Sequence, residues 1–197
     1  MSKFYEQVAV TSRSQWRAWL KKHHSSSPGV WAITFKKDSG GPHVPYDDVA
    51  EEALAFGWID SKGRKLDEDR WQLLVTPRKP KSSWSRVNKG RVERLLEDGV
   101  MTQAGLEAVE VAKANGAWSA LDDVENLTEP DDLRAALEAN KSARHYWDAF
   151  PRSVKRGILE WIGNAKTEPT RTKRVAETAR LAVQDIRANQ WRQPKGR

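Results

Sequence analysis

Residues 11 to 29 open with a hydroxyl-rich start, Thr11-Ser12-Arg13-Ser14, followed by Trp16, Trp19 and Leu20 at i, i+3 and i+4. That spacing predicts an amphipathic helix, which the Ser25–Gly29 stretch then breaks. The run Val30-Trp31-Ala32-Ile33-Thr34-Phe35 is β-branched and aromatic and predicts a strand. A loop from Asp38 to Pro45 leads into a second helix from Tyr46. Its apolar face carries Val49, Ala50, Ala53, Leu54 and Phe56, and Gly57 ends it. Trp58-Ile59-Asp60 starts a second strand, Ser61–Arg64 suits a turn or bulge, and Arg70–Thr76 forms a third strand closed by Pro77. Two adjacent strands after a helix predict an antiparallel hairpin.

From Ser85 onward the pattern is helical to the end of the chain. Gly99 and Asn115-Gly116 interrupt it, and the polar, acidic stretch 119–129 reads as a linker. The expected fold class is therefore α+β: a small, mostly antiparallel sheet packed by helices, followed by a helical C-terminal module. The expected organisation is an α+β domain over 1–118, a linker over 119–129 and the helical module over 130–197.

Composition removes several function classes. The chain has 197 residues and no cysteine, so disulfides and thiolate metal sites are excluded. No apolar run is long enough for a membrane span, and the N-terminus lacks the apolar region of a secretion signal. No membrane insertion and a cytoplasmic location are expected. The four histidines, His23, His24, His43 and His145, include no H-x-x-x-H pair, so no metal is expected. Gly40-Gly41 is followed by Pro42-His43, not by a P-loop Lys-Ser/Thr, and no G-x-S-x-G elbow occurs. No cofactor is expected.

The net charge of +7 is unevenly distributed: net +7 over 61–94, −9 over 95–140 and +9 over 141–197. Two basic blocks flanking an acidic one fit an anionic partner, or segments that neutralise one another. Ten tryptophans run from Trp16 to Trp191. Most belong to core, because an indole buries a large apolar area.

The densest constellation of chemistry-bearing residues is Trp58, Asp60 and Ser61 together with Arg78, Lys81, Ser82, Trp84, Ser85, Asn88 and Arg91. A turn rich in hydroxyls and cations runs straight into a helix N-terminus near Ser83–Ser85. Free N–H groups and the helix dipole there favour an anion. Arg78 suits a carboxylate or phosphate, with Trp84 as a flat wall. The competing reading is an N-cap at Ser83 or Ser85 with solvated lysines. Asp60 has two open roles: ion-pair partner of Arg78, or a base in an enzyme acting on a small anionic metabolite. A second basic surface, Lys166, Thr170, Arg171 and Arg174 with Lys173, suits phosphate or nucleic acid, or is a solvated helix face.

These segments also carry a resemblance. Ala-Phe-Gly-Trp-Ile-Asp-Ser (55–61), Thr-Pro-Arg-Lys-x-Lys-Ser-x-Trp-Ser (76–85) and Asn88 resemble the YdeI/OmpD-associated, bacteriocin-protection family. Gly99-x-Met101-Thr102-x-x-Gly105-Leu106, Ala112-Lys113-x-x-Gly116-x-Trp118 and Ala165-Lys166-x-x-x-Thr170-Arg171-x-x-Arg174 extend the likeness, which spans about Trp16 to Leu181. The resemblance implies a link to bacteriocin resistance or envelope stress and assigns no catalytic residue. The N-terminal part is similar in outline to frataxin-like α+β domains, which would imply iron handling. A basic site is poorly suited to that, because hard cations take carboxylate oxygens. Three functions are thus carried forward: a protection protein binding a small anionic ligand, a nucleic-acid-associated protein, and an enzyme using Asp60.

Overall fold

The structure is a computed structural model that describes residues 4–193. The chain divides into two compact units, Met1–Ala120 and Leu121–Arg197.

The first unit holds strands β1 (Glu6–Ala9), β2 (Val30–Phe35), β3 (Trp58–Lys65) and β4 (Arg70–Pro77) with helices α1 (Arg13–His23), α2 (Tyr46–Ala55), α3 (Arg86–Glu97) and α4 (Gln103–Ala114). The strands form one sheet in the order β1-β2-β4-β3. The β2–β4 and β4–β3 pairs are antiparallel, as the hairpin pattern predicts, whereas β1 lies parallel to β2. The sheet is therefore mixed, and β1 is an element that the hydrophobic pattern did not reveal.

Alternation along each strand sends one set of residues into the core. Val8, Val30, Ala32, Trp58, Leu73 and Val75 pack with Trp16, Leu20, Val49, Ala53 and Leu54 from the helices. The opposite face, which carries Trp31, Leu74 and Ile59, contributes nothing to that cluster. Of the turn or bulge expected at Ser61–Arg64, the structure has the bulge, inside β3. Asp60 pairs with Val75 and Gly63 with Leu73, which leaves Ser61 and Lys62 both opposite Leu74.

Helix starts follow local chemistry. Ser12, Ser85 and Thr102 cap α1, α3 and α4 by accepting from the backbone N–H of Gln15, Asn88 and Gly105. Val87, in the first turn of α3, is exposed. The buried face is Arg91, Val92 and Leu95.

The second unit contains α5 (Asp122–Asn126), α6 (Asp131–Glu138), α7 (Lys141–Ala149), α8 (Arg152–Gly163) and α9 (Glu168–Ala182). Helix α5 falls within the acidic stretch read as a linker, and its Glu125 pairs with Arg156 of α8 at 3.2 Å. The core of this unit is built on Leu133, Leu137, Trp147, Ile158, Ile162 and Val175. Asn140 caps α7, and Thr167 caps α9 with Pro169 in its first turn. No helix among the described residues is long and apolar enough to cross a membrane.

Candidate anion site around Arg78

Four pieces of chain converge at the site: the first turn of α2, the head of β3, the loop after β4 and the first turn of α3. Gly57, at φ +74°, turns the chain from α2 into β3. Its carbonyl accepts the N–H of Arg78 at 3.0 Å, which ties the loop to that turn. A Cβ at Gly57 would sit 2.8 Å from the Ala104 carbonyl oxygen, so the position also needs a residue without a side chain. The loop is held at its far end by Trp84 N–H to Ala117 O at 3.2 Å, and by the Asn115 amide to Pro80 O at 2.9 Å.

Arg78 is the centre of the site. Its guanidinium lies 3.7 Å from the centroid of the Trp84 ring, close enough for a cation–π interaction. Nη2 donates to the Ser83 carbonyl at 2.5 Å. Nε and Nη1 are buried without a hydrogen-bond partner, and so is Nε1 of Trp84. No carboxylate forms an ion pair with Arg78 among the described residues. Burial pushes its pKa down to about 10, opposed by the charge of Asp60. Three unpartnered donors thus cluster around one cation, where acceptors are short. The outer part of Arg78 lines a surface groove of 430 Å³ with Gly57, Trp58, Lys79, Ala104 and Val111.

Beside it lies a second polar cluster. Tyr46 donates its hydroxyl to Asp60 Oδ2 at 2.8 Å. Burial and that hydrogen bond raise the tyrosine's pKa. Arg91, only 5% exposed, donates to Asp47 Oδ1 at 2.5 Å and to Asn88 Oδ1 at 2.9 Å, and it stacks on the Tyr46 ring at 5.4 Å. Asp60 therefore engages Tyr46 directly and acts on Arg78 only through its field. Tyr46 and Asp47 are members that sequence reading missed. The available signal was their place in the first turn of the helix that follows Pro45.

The remaining predicted residues are distributed as follows. Trp58 is core, donating its indole N–H to His24 O at 3.1 Å. Trp84 is also core, 1% exposed, and its accessible ring face is occupied by Arg78. Neither is an open wall. Ser85 serves as the N-cap of α3. Lys81 is exposed and Ser82 half-buried on the loop. Ser61 lies across the sheet, its hydroxyl 3.4 Å from Leu74 O.

In the second unit, Lys166 is exposed and Thr170 Oγ1 lies 2.9 Å from Thr167 Oγ1. Arg171 binds both oxygens of Asp132, at 2.7 and 2.9 Å, and holds that carboxyl below its ordinary range. Arg174 donates to the Trp161 carbonyl and stacks on its ring at 5.0 Å. Those two arginines are thus engaged within their own unit. Among the described residues, no group of three or more His, Asp or Glu side chains is arranged to hold a metal ion.

Comparison with known families divides the chain. Residues 8–108 match a model described as a domain of unknown function (DUF8412), and residues 126–184 match the model of the bacteriocin-protection, YdeI or OmpD-associated family. The latter falls on the helical unit, not on the 55–61 and 76–85 motifs. No curated protein and no solved structure matches the chain. With half of its length in the first match and its helical unit in the second, the chain belongs to the DUF8412 family and carries a bacteriocin-protection, YdeI or OmpD-associated module at 126–184.

Proposed function

We propose that the protein is a cytoplasmic protection protein of the bacteriocin- or stress-resistance type that binds a small anionic ligand at Arg78, as a binding protein and not an enzyme. The observation that carries this reading is the trio of buried, unpartnered donors, Arg78 Nε and Nη1 and Trp84 Nε1. A buried donor without an acceptor costs on the order of 1–3 kcal/mol, and more when charged. A bound carboxylate or phosphate would supply both acceptors and counter-charge. The family match of residues 126–184 supports the protective role.

These atoms are covered by protein, so the ligand enters with a local displacement of the 78–84 loop. The groove that Arg78 shares with Lys79 is the approach route. Asp60, already bonded to Tyr46, orients the cation by its field.

Isothermal titration of the full chain with inorganic phosphate and with succinate tests the reading. Saturable binding of one of them in the wild type, lost in Arg78→Met, is the expected result. Equal binding by Arg78→Met, or no heat with either probe, removes the proposal.

A further inference from the structure

The sheet has a second face, remote in chemistry from Arg78. Helices cover one side, and the other is open along the row Gln7–Trp31–Leu74, in which each residue is the cross-strand partner of the next. The β3 bulge adds Ser61 and Lys62 at the end of that row. A broad trough of 1230 Å³ lies over it, lined by the rings of Phe4, Tyr5 and Trp31, by Leu74, and by Lys62 and Arg64. Among the described residues, none that lines the trough is acidic. The guanidinium of Arg64 rests on the Trp31 indole, 4.4 Å from its centroid.

Three aromatic rings and two cations along an open trough are what a chain of π-faced bases with an anionic backbone requires. An apolar peptide would leave the two cations without a partner. A rigid duplex would not offer its base faces to Trp31.

The cations of the basic blocks are a poorer platform than their number suggests. Arg91 is bound to Asp47, Arg94 to Glu51 and Arg171 to Asp132. Lys62 and Arg64, by contrast, are exposed on the bulged edge strand.

We infer that this open sheet face binds single-stranded nucleic acid, with a base stacked at Trp31 and Arg64 and the phosphate backbone held by Lys62 and Arg64. The Arg64–Trp31 stack marks the spot in the free protein. An incoming base extends that stack on the outer side of the guanidinium or takes its place on the ring.

The test is fluorescence anisotropy of the full chain with labelled oligothymidylate and oligouridylate of about 12 nucleotides, against a duplex of equal length. Heparin serves as a base-free polyanion competitor. The expected results are preferential binding of a single strand over duplex and a loss of about tenfold or more in Trp31→Leu. A similar loss in the Lys62→Ala/Arg64→Ala double variant and no change in Arg78→Met are also expected. Two neutralised phosphates predict a log–log salt slope of about −1 to −2. Trp31→Leu preserves apolar area on the sheet, and the double variant changes only exposed side chains, so unfolding does not obscure the outcome. Absence of binding at low salt, equal affinity for duplex, displacement by heparin at equal charge, or unchanged affinity in the double variant overturns the inference.

Discussion

The guanidinium of Arg78 sits 3.7 Å from the centre of the Trp84 ring, whereas the buried guanidinium of Arg91 faces the carboxylate of Asp47. Burial without a counter-charge is a standing cost to the folded state. Arg78→Met, which keeps the stem's volume and removes the charge, is expected to hold or raise the melting temperature. A fall of several degrees in a thermal melt would show instead that the stack on Trp84 outweighs the desolvation of the cation.

Glu52 has the opposite environment. Its carboxylate is 4% exposed and accepts from Arg13 Nε at 2.8 Å and Arg17 Nη1 at 2.7 Å. Removing a buried member of such a network is expected to cost about 3 kcal/mol in Glu52→Ala, with Glu52→Gln intermediate. Urea titration at neutral pH measures both. A loss below about 1 kcal/mol would mean that solvent replaces the two arginine contacts.

Close packing of α4 against the end of α2 gives a steric prediction. A Cβ at Gly105 would lie 2.4 Å from the Ala55 carbonyl oxygen and 2.8 Å from the Met101 methyl. That same carbonyl accepts the Thr102 hydroxyl at 2.7 Å and the Thr102 N–H at 3.1 Å. Gly105→Ala should therefore destabilise by about 1–3 kcal/mol through overpacking, although alanine is the better helix former. Equilibrium unfolding decides the sign.

The helical unit carries a pH-dependent lock. Glu129 accepts from Arg144 at 2.7 and 2.9 Å and from the indole of buried Trp147 at 2.7 Å. The Arg144 hydrogen bonds, aided by that of Trp147, hold its pKa below the ordinary 4.5. A carboxyl depressed on folding contributes stability that is present above its unfolded pKa and lost as pH falls through the folded value. Hydrogen exchange of peptides from 131–163 in the full chain should therefore accelerate as pH drops below about 4.5, after correction for intrinsic rates. Glu129→Gln should be less protected at neutral pH and should flatten that dependence. An unchanged profile in the variant would assign the acid sensitivity elsewhere.

Much of the architecture was legible because its signals were local. Trp16, Trp19 and Leu20 mark α1, Ser12 and Ser85 cap their helices, and the β-rich runs Val30–Phe35 and Arg70–Thr76 read directly as strands. Strand β1 left no such trace. It has four residues, of which only Val8 is buried, and its order comes from lying beside β2 across a long crossover. The Arg78 region stood out by composition, but its neighbours did not. Tyr46 reaches Asp60 across 14 residues and Asp47 reaches Arg91 across 44, and nothing in the spacing of those residues announces either contact. The roles of Trp58 and Trp84 were likewise a matter of burial. An indole in a basic segment reads the same whether it faces ligand or core.

Strand β3 is one of the two edges of the sheet, and its bulge falls where Ser61 and Lys62 stand against one residue of β4. An edge with regular spacing is a template on which another chain can lay down a strand. Here the hydrogen-bonding row is interrupted midway, and Lys62, Arg64 and Lys65 project along the same stretch. A docking strand would lose its register at the bulge and bring its backbone against three cations. On this side the sheet thereby stops at β3, and the irregularity guards that edge against edge-to-edge aggregation.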